Sequence, residues 1–353
     1  MSKLAVSKSQ PWIRSAGFDG LWLLAPPFLA LLVVLLLPAR FQASASMPLW
    51  GWVVLVVLID VAHVYSTLFR TYFDAARRRE QQRLLWLVPL GCYAAGVALH
   101  QLGGGLVFWR VLAYLAVFHF IRQQYGFLRL YARHEPPQPG RWLDTALIYY
   151  ATLYPLLYWH FSAARNFNWF IDGDFVQRDW PIGRAVATVL YTLLIGLYVA
   201  KEIRQWLTVR SFNAPRNLLM AGTLLSWYFG IVYFNGDLAF TLLNVVSHGI
   251  PYLALIWISR SISARSRKAG PTSSLQKYGV AGFLGLLFVL AYVEEGFWDG
   301  LVWREHGTVF GWFQHLPQVS QPTLVAWLVP LLALPQATHY VLDGFIWRRP
   351  KSA

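Results

Sequence analysis

The chain has 353 residues, of which 57% are hydrophobic, 17% aromatic and 13% charged, and its formal net charge is +14 at pH 7. Apolar segments of roughly 20 residues, enough to cross about 30 Å of hydrocarbon as helix, recur along the whole length and exclude a sizeable soluble domain. The positive charge does not point to nucleic acid, because the basic residues alternate from loop to loop as membrane topology requires.

Ten transmembrane helices are predicted, near 18–38, 48–69, 84–103, 106–128, 142–162, 184–205, 216–235, 238–259, 277–294 and 322–346. The expected fold is all-α: a polytopic membrane bundle forming one transmembrane domain over 1–353, of the bacterial inner-membrane type. The first segment ends in an A-x-A-like tail that imitates a signal-peptide cleavage site. Its apolar region is too long for that, so it is read as an uncleaved helix.

Lys3, Lys8 and Arg14 precede this segment, and the 70–83 loop follows the second with Arg70, Arg77, Arg78, Arg79 and Arg83. Arg129, Arg133 and Arg141 lie after the fourth, and Lys201, Arg204, Arg210 and Arg216 after the sixth. The loop near 260–277 and the C-terminal Arg348, Arg349 and Lys351 complete one basic side. Both termini are therefore expected in the cytoplasm, with anionic lipid headgroups as partners of the basic runs. The opposite loops collect Asp172, Asp174, Asp179, Asp237, Glu294, Glu295, Asp299 and Glu305. Aromatics interleave with polar residues in the two long outer loops, as in segments lying at headgroup level.

Cys92 is the only cysteine, which excludes an internal disulfide and a thiolate cluster. There is no H-E-x-x-H, no P-loop lysine and no Gly-rich dinucleotide fingerprint. The paired histidine boxes of membrane desaturases and hydroxylases are missing too. The arrangement is loosely similar to that of bacterial membrane carotene dioxygenases, whose motif residues it does not match.

Of nine histidines, four fall well inside apolar segments: His63, His119, His248 and His339. Their helices are expected to run in the same direction. Counting to the basic residue at each cytoplasmic end places them roughly 10–18 Å from that interface, at about 1.5 Å per residue. Each has a polar neighbour three or four residues away: Asp60 for His63, Gln123 for His119, Asn244 for His248 and Asp343 for His339. Ionisable groups inside a span are costly and need partners, and four at one depth read as one site.

Neutral imidazoles that pass their second N–H to a carboxylate or amide are metal ligands. The expected ligands are His63, His119, His248 and His339, with Asp60 and Asp343 as carboxylate ligands or acceptors. Gln123 and Asn244 are expected to orient imidazoles or hold an oxygen-derived intermediate. A nitrogen-rich set without sulfur suits non-haem iron first, ahead of zinc or haem. The function expected is a metal-dependent membrane oxidoreductase or oxygenase acting on a lipid or other hydrophobic small molecule, served by an unidentified electron donor. The alternative is a proton- or ion-coupled transporter that uses the same His and Asp residues as a relay.

Overall fold

The computed structural model describes residues 10–136, 139–266 and 279–347. Arg348 and Arg349, the markers used for the depth of His339, lie outside the described residues. So do Lys3, Lys8, Arg267, Lys268, Lys277 and Lys351.

The described residues form helices and connecting turns without strands. In chain order the longer ones are α1 (Ala16–Leu24), α2 (Pro26–Leu36), α3 (Leu49–Arg70), α4 (Gln82–Tyr131) and α5 (Arg141–His160). They continue with α6 (Pro181–Val209), α7 (Ala214–Trp227), α8 (Asp237–Ser266), α9 (Gly279–Trp303), α10 (Pro322–Leu332) and α11 (Leu334–Ile346). Five of them, α3, α4, α6, α8 and α9, are long and apolar enough to cross a membrane, and up to seven spans result if the bent pairs α1–α2 and α10–α11 each count as one.

α5 and α7 occupy the expected segments 142–162 and 216–235 but are not among these apolar helices. α5 carries Arg141 and Asp144, and α7 has only 14 residues, among them Arg216, Asn217, Thr223 and Ser226.

α4 folds back on itself at Gly104, whose φ of 81° and ψ of 171° break the helix at a conformation open to glycine. A Cβ at Gly96 would stand 3.2 Å from the Phe108 ring, although a straight helix would put twelve residues about 18 Å apart. The two arms of α4 therefore correspond to the separate segments expected at 84–103 and 106–128.

The α10–α11 break has a proline cause. Pro335, in the first turn of α11, has no N–H for the carbonyl of the preceding turn, and the two helices meet at 42°. In α3 the backbone widens to π-type bonding over Val53–Val61, a local adjustment often found beside functional residues. It leads directly into His63.

Arg216 and Lys201, expected as loop anchors, are instead built into the protein. Arg216 is 1% exposed and pairs with Glu135 at 2.8 Å, with Asp144 at 3.3 Å and with Glu202. Lys201 joins the same carboxylates, Asp144 and Glu202. The network ties α5, α6 and α7 together, so these charges are held by partners rather than by water.

Candidate metal centre

Four packed helices carry the centre: α3, the second arm of α4, α8 and α11. The approach of α8 to α3 depends on Gly249, next to His248. A Cβ there would stand 2.7 Å from the Ile59 γ-methyl and 3.8 Å from His63 Cβ. Glycine at this position lets the two histidine-bearing helices touch.

His63, His119, His248 and His339 are all buried, and one ring nitrogen of each lies within 4.8 Å of the others. The nitrogens that approach are Nε2: His248 Nε2 is 3.1 Å from His63 Nε2, and His339 Nε2 is 3.1 Å from His119 Nε2. Bonds of about 2.1 Å around one ion put neighbouring ligand atoms about 3.0–3.4 Å apart, square or tetrahedral. The close pairs fall at that spacing. Ring centroids stand 4.5 Å apart for His119–His339, 4.7 Å for His63–His248 and 6.5 Å for His63–His119.

With Nε2 turned inward, Nδ1 of each ring faces outward and needs an acceptor. His119 Nδ1 lies 3.4 Å from Asp343 Oδ2; His63 Nδ1 lies 3.5 Å from Asp60 Oδ1 without a hydrogen bond to it. His339 Nδ1 is 2.6 Å from the Thr67 hydroxyl. His248 Nδ1 has no hydrogen-bond partner among the described residues, and its ring stacks on Phe120 at 3.5 Å.

Thr67 Oγ1 is also 3.2 Å from the Tyr252 hydroxyl, which donates to Asp343 Oδ1 at 2.8 Å. Trp347 Nε1 donates to the same oxygen at 2.6 Å. A hydrogen-bonded arc therefore runs from His339 through Thr67 and Tyr252 to Asp343, whose other oxygen stands 3.4 Å from His119. Below it the Arg70 guanidinium lies 4.2 Å over the Trp347 ring.

The expected neighbours are thus distributed differently from their order in sequence. Asp60 stands beside His63, but Asp343 reaches His119 on α4 rather than His339 on its own helix. Neither carboxylate is among the four converging ligand groups. Gln123 donates to the His248 main-chain carbonyl at 3.0 Å, and Asn244 donates to the Phe240 carbonyl one turn back at 2.8 Å. Neither amide bonds an imidazole, and the Oδ1 of Asn244 and Oε1 of Gln123 are left without partners. Thr67, Tyr252 and Trp347 were not singled out from sequence. Hydroxyl and indole groups are common in apolar helices, and only packing shows which of them meet a ligand.

Next to the centre is a cavity of about 560 Å³, bounded by Asp60, Phe120, Asn244 and Tyr340 on its inner side. Its other walls include Trp169 and Asp172 from the 161–180 loop and Glu305 and His306 from the 304–321 loop. His306 stacks flat on Trp52 at 3.8 Å, and burial holds its imidazole below the usual range. At neutral pH it adds no positive charge there.

The chain matches no family of known proteins, no characterised protein and no solved structure. Four buried histidines that could hold a transition metal, in a helical protein with five to seven helices or bent pairs long and apolar enough to cross a membrane, are what the geometry itself establishes.

Proposed function

We propose that the chain is a multi-pass membrane oxidoreductase of the bacterial inner-membrane type, built as one ten-helix bundle around a non-haem transition metal, iron first. Its substrate is a lipid or other hydrophobic small molecule, oxidised with dioxygen and served by a separate electron donor. The observation that carries this reading is the convergence of four buried Nε2 atoms from four helix segments. Without an ion the four rings forfeit hydration for two Nε2–Nε2 hydrogen bonds at 3.1 Å, whereas an ion would engage all four nitrogens at once.

The bound ion would supply redox chemistry, and imidazole without sulfur is a set that iron accepts. The protein's own part is positional. His63, His119, His248 and His339 would hold the ion, while Asp343 and Asp60, at 3.4 Å and 3.5 Å from Nδ1 of His119 and His63, stand where they would brace two of the rings. Thr67 holds a third ring. Phe120 and Tyr340 bound the cavity on the side of the centre and supply apolar wall for a hydrophobic substrate.

The transporter reading draws on the cavity's many carboxylates. Against it stands the packed layer of Tyr252, Asp343 and Trp347 with Arg70 on the other side of the histidines. A resident ion fits a centre open on one side. The test is anaerobic, iron-loaded protein in lipid, exposed to dioxygen with and without total membrane lipid extract. Lipid-dependent oxygen consumption that is lost in His248→Ala supports the oxidoreductase. Bound iron that neither changes spectrum nor consumes oxygen, combined with ion flux in vesicles, would replace it with the transporter.

A further inference from the structure

The cavity beside the histidines is lined by Asp60, Asp172, Asp237, Glu295, Asp299 and Glu305, and by no Lys or Arg among the described residues. The neighbouring Arg304 is turned away, its guanidinium spent on the carbonyls of Gln314 and Leu316. Asp299 is occupied by the main-chain N–H groups of Glu305 and His306 and by the Gln314 side chain. Among the described residues, none of the remaining carboxylates is paired with a Lys or Arg.

A second observation is independent of these acids. Asn244 is 4% exposed and lines the same cavity, and its Oδ1 has no partner while its Nδ2 is bound to the Phe240 carbonyl. A buried amide oxygen without a partner, on a residue that lines the cavity, is an acceptor waiting for a donor or a cation. It lies one helical turn before His248 on α8. Asp60 holds the corresponding place on α3, lining the cavity while its carboxylate stands 3.5 Å from His63.

We propose that this cavity is the access route by which a hydrated divalent transition-metal cation reaches the four-histidine centre, from the side of the 161–180 and 304–321 loops. The route rests on the metal reading above and adds the direction and the means of loading. Asp172 and Glu305 in the loops attract the ion, and Asp237 and Glu295 carry it inward. Asp60 and Asn244 take the place of departing waters before the imidazoles bind. About 560 Å³ accommodates a divalent ion with six waters, which need about 180 Å³ at roughly 30 Å³ each. Low-dielectric walls lined by one sign of charge focus the field and raise on-rates by about 10- to 1,000-fold.

The experiment follows Co²⁺ uptake by absorption in chelator-stripped, full-length protein. Wild type should take up one ion per chain, at a rate that falls as salt is raised. The combined variant Asp237→Asn, Glu295→Gln, Glu305→Gln should load about 10-fold more slowly with a weaker salt dependence, and should reach the same final occupancy. A second variant guards against misfolding of the first. Val56→Cys, made with Cys92→Ser, should load normally until a bulky neutral maleimide is attached in the cavity, after which loading should stop. Loading at the wild-type rate in both the charge variant and the blocked variant would overturn the route while leaving the centre in place. A wild-type protein that binds no Co²⁺ at all would overturn the centre, and the route with it.

Discussion

Asp343 lies on α11, one turn from His339, yet its carboxylate stands 3.4 Å from Nδ1 of His119 on α4. A single acid thus braces an imidazole of another helix, while its second oxygen takes hydrogen bonds from Tyr252 and Trp347. Asp343→Asn should therefore weaken metal binding by about 10- to 100-fold, the usual cost of losing such a support. Tyr252→Phe removes one of several bonds and should cost about 5-fold, equivalent to about 1 kcal/mol. Competitive titration with a metal indicator measures both, and equal losses would show that Asp343 does not act through His119.

Gly249 sets the spacing of α3 and α8. Gly249→Ala would push against Ile59, whose γ-methyl stands 2.7 Å from the new Cβ, and should destabilise the protein by about 1–3 kcal/mol through overpacking. Ile59→Ala in the same chain should restore part of the loss. Thermal unfolding of the two single variants and the double variant gives the coupling, and strict additivity would contradict the contact.

Arg216 is held between three carboxylates, so its removal leaves Glu135 without a cation and Asp144 and Glu202 with Lys201 alone. Arg216→Met should destabilise by about 3–5 kcal/mol, the cost of breaking a buried pair from one side. Lys201→Met, on the more accessible rim of the network, should cost less. Denaturant unfolding in detergent would show the order, and a larger effect at Lys201 would reverse the account of which cation is central.

Orientation is open to direct measurement. Reporter fusions after residues 75, 136 and 208 should report the cytoplasm, and fusions near 173 and 305 the opposite side, because the basic loops alternate. One loop on the wrong side would break the alternation and leave the acid-lined cavity without its assigned face.

The quartet of histidines was legible in the sequence because an imidazole in an apolar span is costly enough to need a reason. The same logic of depth and direction placed His63, His119, His248 and His339 together, and the fold brings them within 4.8 Å. Partners were less legible. Residues four apart share a helix face, but the α4–α11 packing put His119 nearer to Asp343 than His339 is, and no spacing rule along one helix contains that information. Arg216 and Lys201 read as surface anchors because a sequence does not show the Glu202, Asp144 and Glu135 that meet them across three elements. The two arms of α4 were separable at the Gly-rich stretch 103–105, although the sharpness of the turn rests on Gly104 alone. Count and polarity of the spans are where hydropathy was least informative, since α5 and α7 carry charges that their partners neutralise inside the fold.

The central claim is that four imidazoles hold one ion, and X-ray absorption on the purified protein, with metal content measured on the same sample, tests it most directly. The account predicts one transition-metal ion per chain, nitrogen or oxygen neighbours at about 2.0–2.2 Å, imidazole scattering and no sulfur. His339→Ala should lose the ion while the protein still inserts and unfolds cooperatively. Wild-type protein that is active without a stoichiometric metal, or an ion retained unchanged in His339→Ala, would contradict it.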